Sequence, residues 1–237
     1  MLVFILTDLA VEREALRSIV RETAQESFNC ISVDSDQSTS DTLLAISSRR
    51  VEGVNTQDFA AGLKSICQAL AQDIVRNGEG VHHVMEVHVT SAPSVEFAVS
   101  LGKCILRSPL VKTAVAGNDP NVGRFLMAIG NFAKSEGSTL DFTRLKLQLG
   151  EEVIFKEGSF DLSYDKEKKL VDYLRSCELY QSEAGQDGIT FQPRIRYPSH
   201  EQNVRLHLDL AMGSHQGRVW GGDLTHEYIS ANADYRS

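Results

Sequence analysis

From Asp34 to Thr42 the chain runs through nine consecutive small or polar residues, Asp-Ser-Asp-Gln-Ser-Thr-Ser-Asp-Thr. Apolar Phe28, Ile31 and Val33 precede them, and Leu43 and Leu44 follow. Helical period is absent there, as is the Gly/Pro punctuation of an ordinary turn. Hydroxyls and carboxylates at this density need partners, so the stretch is expected to line a site or to order a buried loop. Asp34-x-Asp36-x-Ser38 imitates the start of a calcium loop. Thr39 stands where the invariant glycine belongs and Ala45 where the bidentate glutamate belongs, which excludes that site.

Three further groups of residues carry chemistry of other kinds. Gly78-Glu79-Gly80 follows a helical pattern and precedes a strand. Flanking glycines let the backbone pass close to a neighbour and aim one carboxylate; the alternative is a helix C-cap with an exposed Glu. Lys112, Asn121 and Arg124 frame a turn at 117–120 and either bind a substrate carboxylate or serve the helix dipole. The histidines at 82, 83, 88, 200, 207, 215 and 226 show no H-E-x-x-H pattern and no acidic residue at ligand spacing. They are expected to be solvated surface residues, and no metal site is expected.

The elements that would position these groups alternate. Leu2–Leu6 reads as a buried strand, and Val11–Glu26 as an amphipathic helix carrying Val11, Ala15, Ile19 and Ala24. Phe28–Val33 and Thr42–Ile46 read as strands around the polar loop. Asn55 is the expected N-cap of a long helix with the stripe Phe59, Leu63, Ile66, Leu70 and Ile74, ending near Asn77-Gly78. Residues 82–91 alternate as a strand. Helices are then expected at Ser94–Leu106, after the Ser108-Pro109 start, at Val122–Phe132 and at Asp165–Arg175. Leu145, Leu147 and Leu149 alternate as a strand, as do Val204–Ala211 and Arg218–Gly222. Residues 181–201 look like an irregular insertion, and Asp223-Leu-Thr225 caps a final turn or helix. The polar tail 232–237 reads as frayed on composition alone. Helices and strands interleave throughout, so the class is α/β (α+β), with a boundary expected near 91–93.

Composition bounds the partners. Hydrophobic residues make up 42% and charged residues 24% of the 237, and the net charge of −8 is scattered. A phosphate-backbone binder would need a basic stripe, so no nucleic acid is expected. The apolar opening is too short to span a bilayer, so no membrane is expected. Cys30, Cys67, Cys104 and Cys177 lie far apart without a C-x-x-C pair, which suits buried thiols in a reducing, cytoplasmic setting.

Several segments together resemble the β chain of the ornithine acetyltransferase (glutamate N-acetyltransferase, ArgJ-type) family of arginine biosynthesis. They are Phe28-Asn29 with Val33–Asp36 and Ser38–Thr42, Gly78-Glu79-Gly80, Ser108–Thr113, Asp119-Pro-Asn-x-Gly-Arg124, Trp220 with Asp223-Leu-Thr225, and Asn232–Arg236. The likeness runs from Met1 to Ser237. It implies a DmpA/ArgJ-like sandwich of two sheets between helical layers in residues 1–91. It also implies a second α/β region in 92–237, with the tail 223–237 returning to the active site.

The resemblance implies a precursor that cuts itself before a threonine, which becomes the nucleophile and carries acetyl from N-acetylornithine to glutamate. Its α-amine acts as base without a histidine. The family's β chain begins Thr-Met-Leu and this chain Met1-Leu2, so the nucleophile is expected immediately before Met1 and no catalytic residue lies within the chain. Glu79, Asn232 and Ser237 match substrate-binding positions, Ser237 standing where threonine is usual. That match reverses the frayed reading of the tail. No cofactor is implied, although acetyl-CoA is a possible substrate. The implied partners are an α chain from the same precursor, in an α2β2 heterotetramer. Val122 departs from a common tryptophan, and 181–201 is longer than usual. Two alternatives keep parts of this picture: a non-catalytic chain that binds a small amino acid or stabilises a partner, and an N-terminal-nucleophile amide hydrolase.

Overall fold

Alternating side chains drive Leu2–Leu9 (β1) into an extended strand with one face turned inward. The computed structural model describes residues 1–53, 55–179, 183–184, 191–192 and 200–234. It groups them into two compact units, Met1–Ile31 with Asp36–Ile74, and Ser32–Ser35 with Val75–Ser237. The changeover at Ile74/Val75 puts the strand over 84–92 with the later elements, where the sequence reading cut at 91–93.

In the first unit, helix α1 (Arg13–Gln25) carries the chain from β1 towards a parallel partner. A single 3-10 turn at Phe28–Cys30 leads into the two-residue strand β2 (Ile31–Ser32). Strand β3 (Thr42–Val51) then pairs with β1 in the register Val3↔Leu43 and Ile5↔Ala45. Helix α2 (Thr56–Arg76) follows, its N-cap Asn55 accepting from Gln57 N at 2.8 Å. Val3, Ile19, Phe28, Leu63, Cys67 and Ala71 form the core, with Ile5, Val20, Leu43, Phe59 and Ala60 packed against them.

Two expectations need correction here. Phe28–Cys30 is a tight turn rather than a strand. Ser27 Oγ donates to Thr23 O and Cys30 N to Ser27 O, so the chain curls at the end of α1. That turn buries Phe28 and Cys30 and exposes Asn29, which mimics the alternation of a strand. The buried seam of α2 also differs. It runs through Leu63, Cys67, Ala71 and Val75, whereas Ile66 is 58% exposed and Leu70 38%. Small Ala60, Cys67 and Ala71 let a helix approach a sheet closely, and hydrophobicity alone does not register that.

The second unit is built on a mixed sheet ordered β2-β11-β4-β10-β5-β6-β7. Its strands are β4 (Val84–Ala92), β5 (Lys146–Leu149), β6 (Glu152–Lys156), β7 (Ser159–Phe160), β10 (Val204–Asp209) and β11 (His215–Gly222). Among the described residues β10 pairs parallel with β4, while β10–β5, β11–β4, β5–β6 and β6–β7 are antiparallel. Two short pieces, β8 (Glu183–Ala184) and β9 (Phe191–Gln192), pair antiparallel. Most of the expected insertion at 181–201 lies outside the described residues. The helices are α3 (Val95–Leu106), α4 (Pro109–Ala116), α5 (Val122–Ser135), α6 (Tyr164–Ser176) and α7 (His226–Ala233).

Caps set the starts of four of these helices. Ser94, Ser108, Ser163 and Thr225 each accept a backbone N–H with the side-chain oxygen, and Pro109 fills N1 of α4. Val87, Val89, Leu147, Leu149, Leu206, Leu208 and Val219 supply the buried apolar positions of the sheet. Helix α3 crosses β4 and β11 at Gly102, where an added Cβ would stand 2.6 Å from Val219 Cγ2. Among the described residues no helix is long and apolar enough to cross a membrane.

Gly102 therefore fixes the distance between helix and sheet. Gly102→Leu is expected to lower the unfolding free energy by about 1–3 kcal/mol through overpacking. Urea unfolding of the purified protein checks this, and an unchanged midpoint would show that α3 does not sit this close.

Candidate functional site

The bend at Gly78-Glu79-Gly80 forms where α2 runs out. Gly78 N donates to Val75 O and Val81 N donates to Gly78 O, and Gly80 takes φ +64. That left-handed turn is open to glycine at little cost. Space requires glycine as well, because a Cβ on Gly80 would lie 2.4 Å from Tyr228 N and 2.8 Å from Glu227 C. The bend thus rests backbone to backbone on the first turn of α7. Thr225 Oγ1 joins the two, donating to Gly80 O at 2.6 Å and accepting from Tyr228 N at 3.2 Å. Glu79 projects between the glycines and is exposed.

Asp223 makes a second connection just beneath. Its Oδ1 accepts from the His82 backbone N–H at 2.9 Å, and its Oδ2 lies 2.9 Å from His83 Nδ1. Asp223 N donates to His83 O at 3.1 Å, and His83 Nε2 faces Leu174 O at 3.2 Å. Both side chains are fully buried. With an acceptor opposite each ring nitrogen, both contacts are hydrogen bonds only when both nitrogens carry protons. His82 reaches the other way, Nε2 lying 3.0 Å from Glu227 Oε1. Five polar contacts thus bind residues 80–83 to 223–228.

Lys112 of α4 completes the buried charge. Its Nζ donates to Val33 O at 2.7 Å, and its carbonyl accepts from Leu224 N at 3.4 Å. Burial pushes its ammonium down from 10.5 to about 8, against the opposing pull of Asp223 and Asp34. The lysine joins the 32–35 segment to the 223–224 segment within the second unit.

The sequence candidates fare unequally. Glu79 and Asn232 come to neighbouring elements. Asn232 sits one turn beyond Tyr228 on α7, about 6 Å further along the axis, and its Nδ2 donates to Tyr228 O at 2.9 Å. Ser237 lies outside the described residues. Lys112, Asn121 and Arg124 do not converge. Arg124 Nη1 donates to Leu110 O and Thr113 Oγ1, tying α5 to α4, while Asn121 donates to Asp119. The polar stretch is also unlike the buried loop expected of it: residues 36–41 are all exposed. Water and short local bonds, such as Ser40 N to Ser38 Oγ, satisfy its hydroxyls.

The histidines are not uniformly solvated either. His83 is buried on Asp223, and His88 stacks on His207 at 5.2 Å across the parallel β4–β10 pair. Burial, reinforced by the neighbouring His88, pulls His207 below the ordinary histidine value. Among the described residues no three His, Cys, Asp or Glu gather as metal ligands. The functional residue that sequence reasoning missed is Asp223, read as a cap; its signal is an acidic residue directly after the Gly221-Gly222 strand end. An exposed carboxylate on a bend held in place by its backbone suits an ammonium-bearing ligand.

A sequence model of the ArgJ family matches residues 1–237. The arginine biosynthesis bifunctional protein ArgJ of Ruegeria pomeroyi is 38% identical over 239 residues, covering 100% of this chain and 51% of that protein. Its namesake from Dehalococcoides mccartyi is 36% identical over 242 residues, covering 99% of this chain and 52% of that protein. This chain therefore spans about half the length of the curated relatives it matches. The crystal structure of arginine biosynthesis bifunctional protein ArgJ from Bacillus halodurans superposes with a TM-score of 0.81 at 29% identity, covering 99% of this chain and 100% of that one.

Two outcomes follow from the geometry. Gly80→Ala combines a positive φ with a backbone clash, and is expected to cost about 1–3 kcal/mol or more. Gly62→Ala, mid-helix with nothing within 4 Å, is the control and should gain up to about 1 kcal/mol. Thermal and urea unfolding compare the two. Lys112 carries the second outcome. Its folded value lies below its unfolded value, so between pH about 8 and 10.5 the unfolded chain holds more protons and stability rises with pH. The rise attributable to this residue is on the order of 3 kcal/mol. It is expected to vanish in Lys112→Met, and an identical pH slope in that variant would refute the assignment.

Proposed function

This chain belongs to the ArgJ family, and we propose that it is the C-terminal half of an enzyme that moves acetyl from N-acetylornithine to glutamate in arginine biosynthesis. The observation that carries this reading is the pairing of the Glu79 bend with the Asn232 helix through Thr225 and the Gly80 contact. Glu79 receives an amino group of ornithine or glutamate, and Asn232 and Ser237 supply neutral hydrogen bonds.

The nucleophile is a threonine immediately before Met1 in the longer gene product. Its α-amine takes the hydroxyl proton as Oγ attacks the acetyl carbonyl of N-acetylornithine. The C–N bond breaks, the proton passes to the departing ornithine nitrogen, and an acetyl-threonine ester remains. Glutamate's amino nitrogen then attacks that ester, its proton returns to Oγ, and N-acetylglutamate leaves. Acetyl-CoA is an alternative acetyl donor to the same threonine.

The other half of the relatives' length is the partner. On β1 the side chains of Leu2, Phe4 and Leu6 are 68%, 61% and 75% exposed, opposite Leu44 and Ile46 on β3. Among the described residues these two strands form a sheet of their own. Parallel strands are normally buried on both faces, so an apolar face of this size calls for a covering layer. An upstream α chain supplies it, in an α2β2 assembly in the cytoplasm.

Expression of the full gene product with N-acetylornithine and glutamate tests the proposal by the appearance of N-acetylglutamate. Glu79→Gln is expected to raise the KM for the amino-acid substrate by about tenfold or more, the loss of one charge-assisted bond. A residue other than threonine before Met1, with no acetyl transfer, leaves a non-catalytic binding chain. Loss of acetylornithine in the absence of glutamate identifies a hydrolase instead.

A further inference from the structure

We propose that Thr225 and Asp223 are positioning residues that lock the Glu79 bend and the Asn232 helix into one body. The inference rests on the reading of Glu79 and Asn232 as substrate contacts, and goes beyond it by naming what holds them at a fixed separation. Residues 223–225 lie between β11 and α7, and every polar side chain in that segment reaches back to residues 80–83.

Thr225 has one hydroxyl and uses it twice. It donates to Gly80 O, beside Glu79, and accepts from Tyr228 N, whose own carbonyl accepts from Asn232 Nδ2. The path from the peptide next to Glu79 to the amide of Asn232 is therefore one hydroxyl and one helical turn. Asp223 sets the angle of the same joint, with one oxygen on the His82 N–H and the other on His83. His82–Glu227 and the close approach of Gly80 to Tyr228 brace it from outside. A helix cap needs only the bond to Tyr228 N, so the bond to Gly80 O is what ties α7 to the bend.

An ordinary structural threonine and a positioning threonine respond differently to the same substitutions. In the full gene product, Thr225→Val removes both bonds at nearly constant volume, and Thr225→Ser keeps the hydroxyl. Thr225→Val is expected to raise the KM for the amino-acid substrate about tenfold with kcat changed less than about threefold, and Thr225→Ser to restore it. In the Glu79→Gln background the same Val substitution should add less than about twofold, because the group it misplaces is already gone. Hydrogen exchange at 78–83 and at 226–232 should accelerate together in Thr225→Val.

Independent, multiplying effects of Thr225→Val and Glu79→Gln overturn the positioning role, as does acceleration in one segment alone. Equal damage from Ser and Val does the same. If Glu79→Gln leaves KM unaltered, the substrate reading of Glu79 fails first, while the exchange experiment still decides whether the joint is one body. Should Thr225→Val not accumulate, Asp223→Asn takes its place in the cycle, with the same expected non-additivity.

Discussion

A fully buried carboxylate facing a buried imidazole is the constraint on which the second unit's site depends. Taking Asp223 out of water costs several kcal/mol unless its oxygens are matched, and each one is: a backbone N–H on one, a ring nitrogen on the other. Lys112 adds a positive charge to the same region. Such an arrangement tolerates few geometries, because moving either strand end would leave a charge without a partner. The bend that carries Glu79 ends two residues before His82, and the helix that carries Asn232 begins three residues after Asp223. Rigidity bought at one buried point is thereby passed to two exposed groups.

The sequence announced the elements of this unit more readily than their joints. Ser94, Ser108-Pro109 and the alternating Leu145, Leu147 and Leu149 follow local rules, and local rules decide caps and buried strand faces. Asp223 follows none. Its partners lie about 140 positions earlier in the chain, and nothing in the spacing of Asp-Leu-Thr distinguishes a helix cap from a hub that binds two histidines. The same blindness affected α2, where hydrophobicity nominated Ile66 and Leu70 although the small side chains Cys67 and Ala71 face the core. Family likeness supplied Glu79, which composition alone left undecided between a site carboxylate and an ordinary cap.

The first unit shows a different limit. Alternation in β1 correctly separates Val3 from Leu2, Phe4 and Leu6, yet both sets are apolar and a strand buried on two faces was the natural reading. In the structure one face meets α1 and α2 and the other meets water. The apolar residues on the second face are what the proposed α chain would cover, and no feature of the strand itself reveals which chain does so.

On the proposed reading, the division of labour between the two halves has a physical logic. The proposed threonine nucleophile at a chain terminus needs a rigid strand behind it, and β1 pairs with β3 at seven positions from Leu2↔Thr42 to Leu9↔Val51. Substrate recognition needs a carboxylate that stays solvated enough to keep its charge, and an exposed side chain on a fixed backbone satisfies that better than a buried one. The Glu79 side chain is exposed, and its backbone is held by Gly80, Thr225 and Asp223 rather than by burial of the carboxylate itself. Backbone anchoring leaves the side chain in solvent while its position is held, which is the combination that the proposed recognition of an amino group requires.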